Sequence, residues 1–184
     1  ARLKAWETVL VFGIGGGVSL AGLQIAKALG ARVIVTSRDD AKLARALQLG
    51  ADHAVHSATQ DVAKAVQSLT GGRGVDVVFE NVGEAVWPAA MKSLVRGGRL
   101  VTCGATSGDQ PGADLRRLFI RQLQVIGSTL GTLGELHDLL GFCQQQGLRP
   151  VIEQTFPLDE VHAALSRLES GQQFGKIALA IDGS

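Results

Sequence analysis

Apolar positions along this chain come in two alternating patterns, short β-branched runs and stretches spaced as one face of a helix. The first run, Val9 to Phe12, is continuous rather than alternating, as in a strand buried on both faces. Glycines at positions 13, 15, 16 and 17 interrupt it, and a helix and a second strand ending at Ser37 follow. Asp40 to Leu49 reads as a helix ended by Gly50, and Ala54 to His56 as a short strand. Val62, Val66 and Leu69 recur at helical spacing before Gly71 and Gly72 stop them. Val75 to Glu80 predicts a fourth strand, and Glu84 to Val95 a helix with Pro88 tolerated near its first turn. Arg99 to Cys103 predicts a fifth strand and Leu123 to Ser128 a sixth. Strands and helices that alternate over short connections predict an α/β fold, a doubly wound six-stranded parallel sheet. Its ligands would lie at the carboxyl ends of the strands.

The first turn carries the most chemistry. A turn tight enough to bring backbone N–H groups against a phosphate needs residues without a Cβ. The helix that opens there has unpartnered N–H groups and the positive end of its dipole, so an anion is favoured. The dinucleotide spacing G-x-G-x-x-G is present only in part, as Gly13, Gly15 and then Val18. In a longer spacing Gly13 and Gly16 fit and Ser19 replaces the third glycine, while Gly22 offers another small face one turn later. At the end of the second strand an NAD site carries a carboxylate that binds the ribose 2′-OH and repels a 2′-phosphate. Ser37 stands there, 21 residues after Gly16, followed by Arg38, with Lys42 one helical turn further. The repelling charge is gone and a guanidinium suited to phosphate has arrived, which predicts NADP(H) over NAD(H). Asp39 and Asp40 are close by, but as first-turn residues of the next helix they are expected to face outward.

Composition narrows the alternatives. A length of 184 residues suits one core, and a net charge of +1 gives no attraction to nucleic acid or anionic lipid. Val9 to Ala26 is uncharged, but its five glycines, Ser19 and Gln24 favour a buried strand and helix over a membrane span. Cys103 and Cys143 lack metal-ligand spacing and read as buried thiols of a cytoplasmic protein. His53, His56, His137 and His162 form no ligand set, so no metal site is expected, and no catalytic residue is assigned. Asp39/Asp40 and Asp159/Glu160 are expected at helix starts, and Arg116, Arg117 and Arg121 on a solvated helix face. A short-chain dehydrogenase would need a Tyr-x-x-x-Lys, and the chain has no tyrosine. The P-loop spacing is absent, and Gly17-Val18-Ser19-Leu20-Ala21 only approximates a hydrolase elbow.

The segments GIGGGVSLAGLQIAKALGA, LTGGRGVDVVFENVG, GGRLVTCGATSG, LFIRQLQVIGSTLGT and FGKIAL together resemble the nucleotide-binding half of the medium-chain dehydrogenases/reductases. That family contains zinc-type alcohol dehydrogenases and quinone oxidoreductases. The resemblance implies a Rossmann fold over residues 1–131. It also implies a helix and strand segment over 132–184 that packs on a catalytic barrel domain outside this sequence. Any zinc would belong to that barrel. The implied activity is hydride transfer between a nicotinamide and a carbonyl or activated alkene, the substrates being carbonyls, alcohols, quinones or enones. The alternative is a non-enzymatic NADP(H)-binding or redox-sensing module.

By the same resemblance, Gly13, Gly16, Gly17 and Val18 would hold the pyrophosphate. Asn81, Val82, Gly104, Ala105, Thr106, Ser128, Thr129 and Leu130 would contact ribose and nicotinamide, and Lys176 would approach from the returning segment. Related proteins pair their sixth strands across a two-fold axis. Leu123 to Ser128, apolar and free of a blunting charge or proline, is therefore expected to make a homodimer.

Overall fold

A computed structural model describes residues 1–181. Six strands form the main sheet: β1 (Thr8–Val11), β2 (Arg32–Ser37), β3 (His53–His56), β4 (Val75–Glu80), β5 (Leu94–Thr102) and β6 (Gln124–Gly127). Their order is β3-β2-β1-β4-β5-β6 and every pairing is parallel. The helices α1 (Gly17–Ala28), α2 (Asp40–Gln48), α3 (Val62–Leu69), α4 (Trp87–Ser93) and α5 (Leu115–Ile120) connect them. The chain leaves β1 toward β2 and β3, then returns on the other side to β4, so the carboxyl ends of β1 and β4 flank a crevice.

Alternate residues of a strand face opposite sides of the sheet, and both sides here are covered. Val9, Val11, Val33 and Val35 pack with Leu20 and Leu23 of α1 and with Leu43 and Ala46 of α2. Leu10, Ile34, Val78 and Leu100 pack with Val62 and Val66 of α3 and with Ala90 and Met91 of α4. Two covered faces explain the continuous apolar runs in the sequence. Each fully buried Val, Leu or Ile contributes roughly 1.5–3 kcal/mol. The small face of α1 falls at Gly22, where a Cβ would stand 2.6 Å from the Phe79 ring.

Three expectations are corrected. The helix expected over 84–95 is confined to Trp87–Ser93, because Leu94 is already extended and pairs with Val75. The strand then bulges past Gly97, at φ 74°, and regains register where Arg99 meets Val77. Cys103 is exposed and Cys143 half-buried, both as free thiols. The first lies just past the last paired residue of β5, and the second on a helix that buries none of its residues. Arg117 and Arg121 do not simply face solvent. Arg117 donates to the carbonyls of Met91 and Lys92 at 2.8 and 3.1 Å, and Arg121 to that of Leu94 at 3.2 Å. They satisfy carbonyls that the end of α4 leaves open.

Beyond residue 131 come α6 (Leu133–Gln146), β7 (Ile152–Pro157), a 3-10 turn (Leu158–Glu160), α7 (Val161–Glu169) and β8 (Lys176–Ala180). β7 and β8 pair in parallel as a second, two-stranded sheet. α6 starts on a capping box in which Thr132 and Glu135 exchange hydrogen bonds. Leu136, Leu139, Leu140 and Leu165 are all exposed. Among the described residues, no helix is long and apolar enough to cross a membrane.

Candidate functional site

The turn after β1 is held from several sides. Gly13 and Gly15 take φ of 65° and 127°, which side-chain-bearing residues avoid. The Gly13 N–H donates to Thr36 Oγ1 at 3.2 Å and the Ile14 N–H to the Thr36 carbonyl at 2.8 Å. Ser19, buried in α1, donates its hydroxyl to the carbonyls of Gly13 and Gly16, both at 3.0 Å. The residue that replaces the third glycine thus ties the turn down.

α1 then begins on Gly16 with no side-chain cap and no acid in its first turn. Among the described residues no side chain caps its first N–H groups, and the positive end of its dipole meets no acid in the first turn. Lys176 lies directly over this end: a Cβ on Gly17 would collide with Lys176 Cε and stand 2.9 Å from Nζ. The ammonium has no hydrogen bond or ion pair among the described residues. A cation parked on the positive end of a helix, with no carboxylate between them, makes a site for an anion.

Lys176 is brought there by a strap from the C-terminal segment. The Gly175 N–H donates to the Gly15 carbonyl at 2.8 Å, and Lys42 Nζ donates to the Gly171 carbonyl at 2.6 Å. Phe174, almost fully buried, inserts into the core beneath Arg45, whose guanidinium is 4.3 Å from the ring centroid. Glu153 accepts from the Phe174 N–H at 3.1 Å, from Arg167 at 3.1 and 3.2 Å and from Arg45 at 3.4 Å. Burial alone would raise its carboxyl, but these donors outweigh it and hold the group below the ordinary glutamate range.

A cleft of about 880 Å³ opens from the turn along the carboxyl ends of the strands. Gly13, Gly16, Ser37, Arg38, Lys42, Val82 and Thr106 line it. Gly17 and Val18 continue into α1 beside it, and Asn81 immediately precedes Val82. Gly104, Ala105, Ser128, Thr129 and Leu130 follow β5 and β6 on the same edge but lie outside the cleft wall. At the end of β2, Ser37 Oγ accepts the Asp39 N–H at 3.2 Å. Asp39 caps α2 through the Lys42 N–H at 3.1 Å but, against the expectation that it faces outward, also lines the cleft, because the start of α2 borders it; exposed Asp40 lies off the cleft wall, 3.9 Å from His56 Nε2. Arg38 is exposed and makes no hydrogen bond or ion pair among the described residues. Asp159 and Glu160 lie in the 3-10 turn that leads into α7, with Glu160 at its N-cap, and neither caps it with a side-chain bond.

The loops after β4 and β5 are laced together. Buried Glu80 accepts the N–H groups of Val82 and Gly83 at 2.9 and 2.8 Å. Ser107 donates its N–H and hydroxyl to the Val82 carbonyl, each at 2.7 Å. Thr106 Oγ1 reaches the Asn81 carbonyl at 3.4 Å. Partial burial, reinforced by the charge of Glu80, pushes the Cys103 thiol up, so it stays protonated and a poor nucleophile. Among the described residues no group of three or more His, Cys, Asp or Glu is placed to hold a metal ion. Sequence reasoning missed Thr36, Ser57, Gln60, Gly171 and Gln173 on the cleft wall. Thr36 and Ser57 were within reach, since they lie at and just past the ends of strands; Gln60 is set by its local bonds to His56, and Gly171 and Gln173 are placed by the distant C-terminal segment.

Parallel strands in this order, a glycine turn opening a helix at the switch point, and a cleft beyond the carboxyl ends define a dinucleotide-binding domain of the Rossmann type. The chain belongs to the zinc-binding dehydrogenase family, whose model matches residues 17–145. An alcohol dehydrogenase of Geobacillus stearothermophilus is 33% identical over 175 residues, covering 95% of this chain and 50% of that protein. Quinone oxidoreductase-like protein 2 of Bos taurus is 30% identical over 185 residues, covering 95% and 53%. Among solved structures, a putative alcohol dehydrogenase from Sinorhizobium meliloti 1021 superposes with a TM-score of 0.92 at 39% identity, covering 98% of this chain and 52% of that one. The chain spans about half the length of the curated relatives it matches.

Proposed function

We propose that this chain is the NADP(H)-binding part of an oxidoreductase that moves hydride between a nicotinamide and a carbonyl, alcohol, quinone or enone. The observation that carries this is Lys176 lying, without a partner among the described residues, over the uncapped start of α1. The N–H groups at the start of α1 and the Lys176 ammonium bind the pyrophosphate, and Val82 and Thr106 border the path toward the nicotinamide. When bound, the dinucleotide supplies the hydride. The chain's own share is to orient it: Ser19 and Thr36 fix the turn, and Glu80 fixes the loop after β4. Residues 1–131 bind cofactor, while the segment 132–184 delivers Lys176 and offers exposed leucines such as Leu136 and Leu140 to a catalytic domain. With no acid/base group assigned in the cleft, this chain alone binds cofactor without turning it over. The two free thiols suit the cytoplasm.

The preference for NADP(H) rests on the end of β2. Relatives include an NAD-dependent alcohol dehydrogenase of Saccharolobus solfataricus at 29% identity. Here the position that would meet a 2′-OH is Ser37, the neighbouring Asp39 is engaged in capping α2, and Arg38 is free to bind phosphate. Titrating the chain and its Arg38→Ala variant with NADPH and NADH tests this. The variant should lose about 10- to 100-fold in NADPH affinity and none in NADH affinity, as expected for a charge-assisted phosphate contact. Equal or tighter NADH binding by the unmodified chain would refute the preference. The homodimer rests on the β6 edge, with Val125 exposed on the strand and Leu115 and Phe119 exposed on α5 beside it. Light scattering should give twice the chain mass at micromolar concentration; a monomer mass would count against the pairing.

A further inference from the structure

The far end of the cleft, between the starts of α3 and α4, is unlike the phosphate end. Val62 on one side and Val86 and Ala89 on the other make apolar walls, with Phe12 between. Ser57, Gln60 and the carboxylate of Asp61, which caps α3, share its rim, and exposed Gln60 belongs to a turn latched to itself. The Gln60 N–H donates to the His56 carbonyl at 2.9 Å, and the His56 N–H donates back to Gln60 Oε1 at 2.8 Å. This second bond fixes which end of the carboxamide is which, because a flipped amide would set Nε2 against the His56 N–H, donor against donor. Gln60 Nε2 makes no hydrogen bond among the described residues. Oε1 keeps a second lone pair.

We infer that Gln60 reads the purine base of the dinucleotide and selects adenine over 6-oxopurines. This rests on the dinucleotide reading of the cleft. Adenine sets a donor, its exocyclic amine, beside a ring-nitrogen acceptor, and a glutamine carboxamide matches that pair with its oxygen and its NH₂. Hypoxanthine carries an oxygen where adenine has the amine. That oxygen meets Oε1 acceptor to acceptor, and turning the amide to relieve the clash would cost its bond from the His56 N–H. The apolar walls hold the flat ring in place, and Gln60 decides which ring is accepted.

The test is a titration of the chain with NADPH and with its hypoxanthine counterpart, repeated on Gln60→Ala. The unmodified chain should prefer NADPH by about tenfold or more. Gln60→Ala should bring the ratio close to one, mainly through weaker NADPH binding. A circular dichroism melt checks that the variant folds, and Gln60→Met, of similar bulk and without the amide, should behave as the alanine variant does. Equal affinity of the unmodified chain for the two dinucleotides, or a preference that survives both substitutions, overturns the role of Gln60 and leaves the dinucleotide reading standing. If neither dinucleotide binds saturably, the dinucleotide reading falls and Gln60's role with it.

Discussion

Two helices begin at the same cleft and begin differently. α2 starts on Asp39, whose carboxylate accepts the Lys42 N–H at 3.1 Å, so its end is closed by the chain's own anion. α1 starts on Gly16, with no side-chain cap and no acid in its first turn, beneath Lys176, which has no partner among the described residues and comes from a segment about 160 residues later (176 against 16). Capping the first α-helical turn ordinarily contributes about 1 kcal/mol. A helix that forgoes this and gathers a cation instead is arranged for a ligand, whereas its neighbour is arranged for stability.

Closing α1 in the manner of α2 should have the largest effect. In Gly16→Asp the new side chain has room, since a Cβ there meets nothing closer than Ser19 Oγ at 3.8 Å, and the backbone is already extended. The carboxylate would cap α1, leaving the melting temperature unchanged or slightly raised, while NADPH affinity falls by about 100-fold or more as the anion site is filled. Retained binding would break the comparison. Lys176→Ala is next: NADPH binding should weaken by about tenfold or more in isothermal titration, with little change in stability, because the exposed ammonium pairs with nothing among the described residues.

The reciprocal change at α2 should reverse the pattern. Asp39→Ala removes a cap and should cost about 1 kcal/mol of stability by urea unfolding, with NADPH affinity little altered. The smallest effect concerns the strap. The Glu153 carboxyl is depressed in the folded chain, so its stabilising share is fully present above the unfolded glutamate value of about 4.3 and is lost as pH falls through the lower folded value. Melting temperatures should therefore drop below about pH 4.3, and by less in Glu153→Gln. An identical acid profile for the two would remove Glu153 from the strap.

The sheet was legible because burial on both faces writes each strand as an unbroken apolar run, and the glycines of the first turn mark its tightness locally. Ser37 and Arg38 were legible for the same reason: they end a strand whose position the pattern gives. Most of what escaped was set by distance along the chain. Nothing near Arg117 shows that it will meet the Met91 carbonyl, and nothing near Leu94 shows that Val75 will draw it into the sheet. The Lys42–Gly171 bond and the cleft-facing Gln173 depend on how the last fifty residues fold back, which local patterning does not encode. Gln60 escaped because its role lies in a bond to His56, not in its residue type.

A crystal structure of the chain with NADPH bound tests the central claim most directly. The pyrophosphate oxygens should accept from the N–H groups at the start of α1 and from Lys176 Nζ, with the 2′-phosphate against Arg38. A pyrophosphate bound away from Gly16 and Gly17, with Lys176 making no contact to it, would contradict the account.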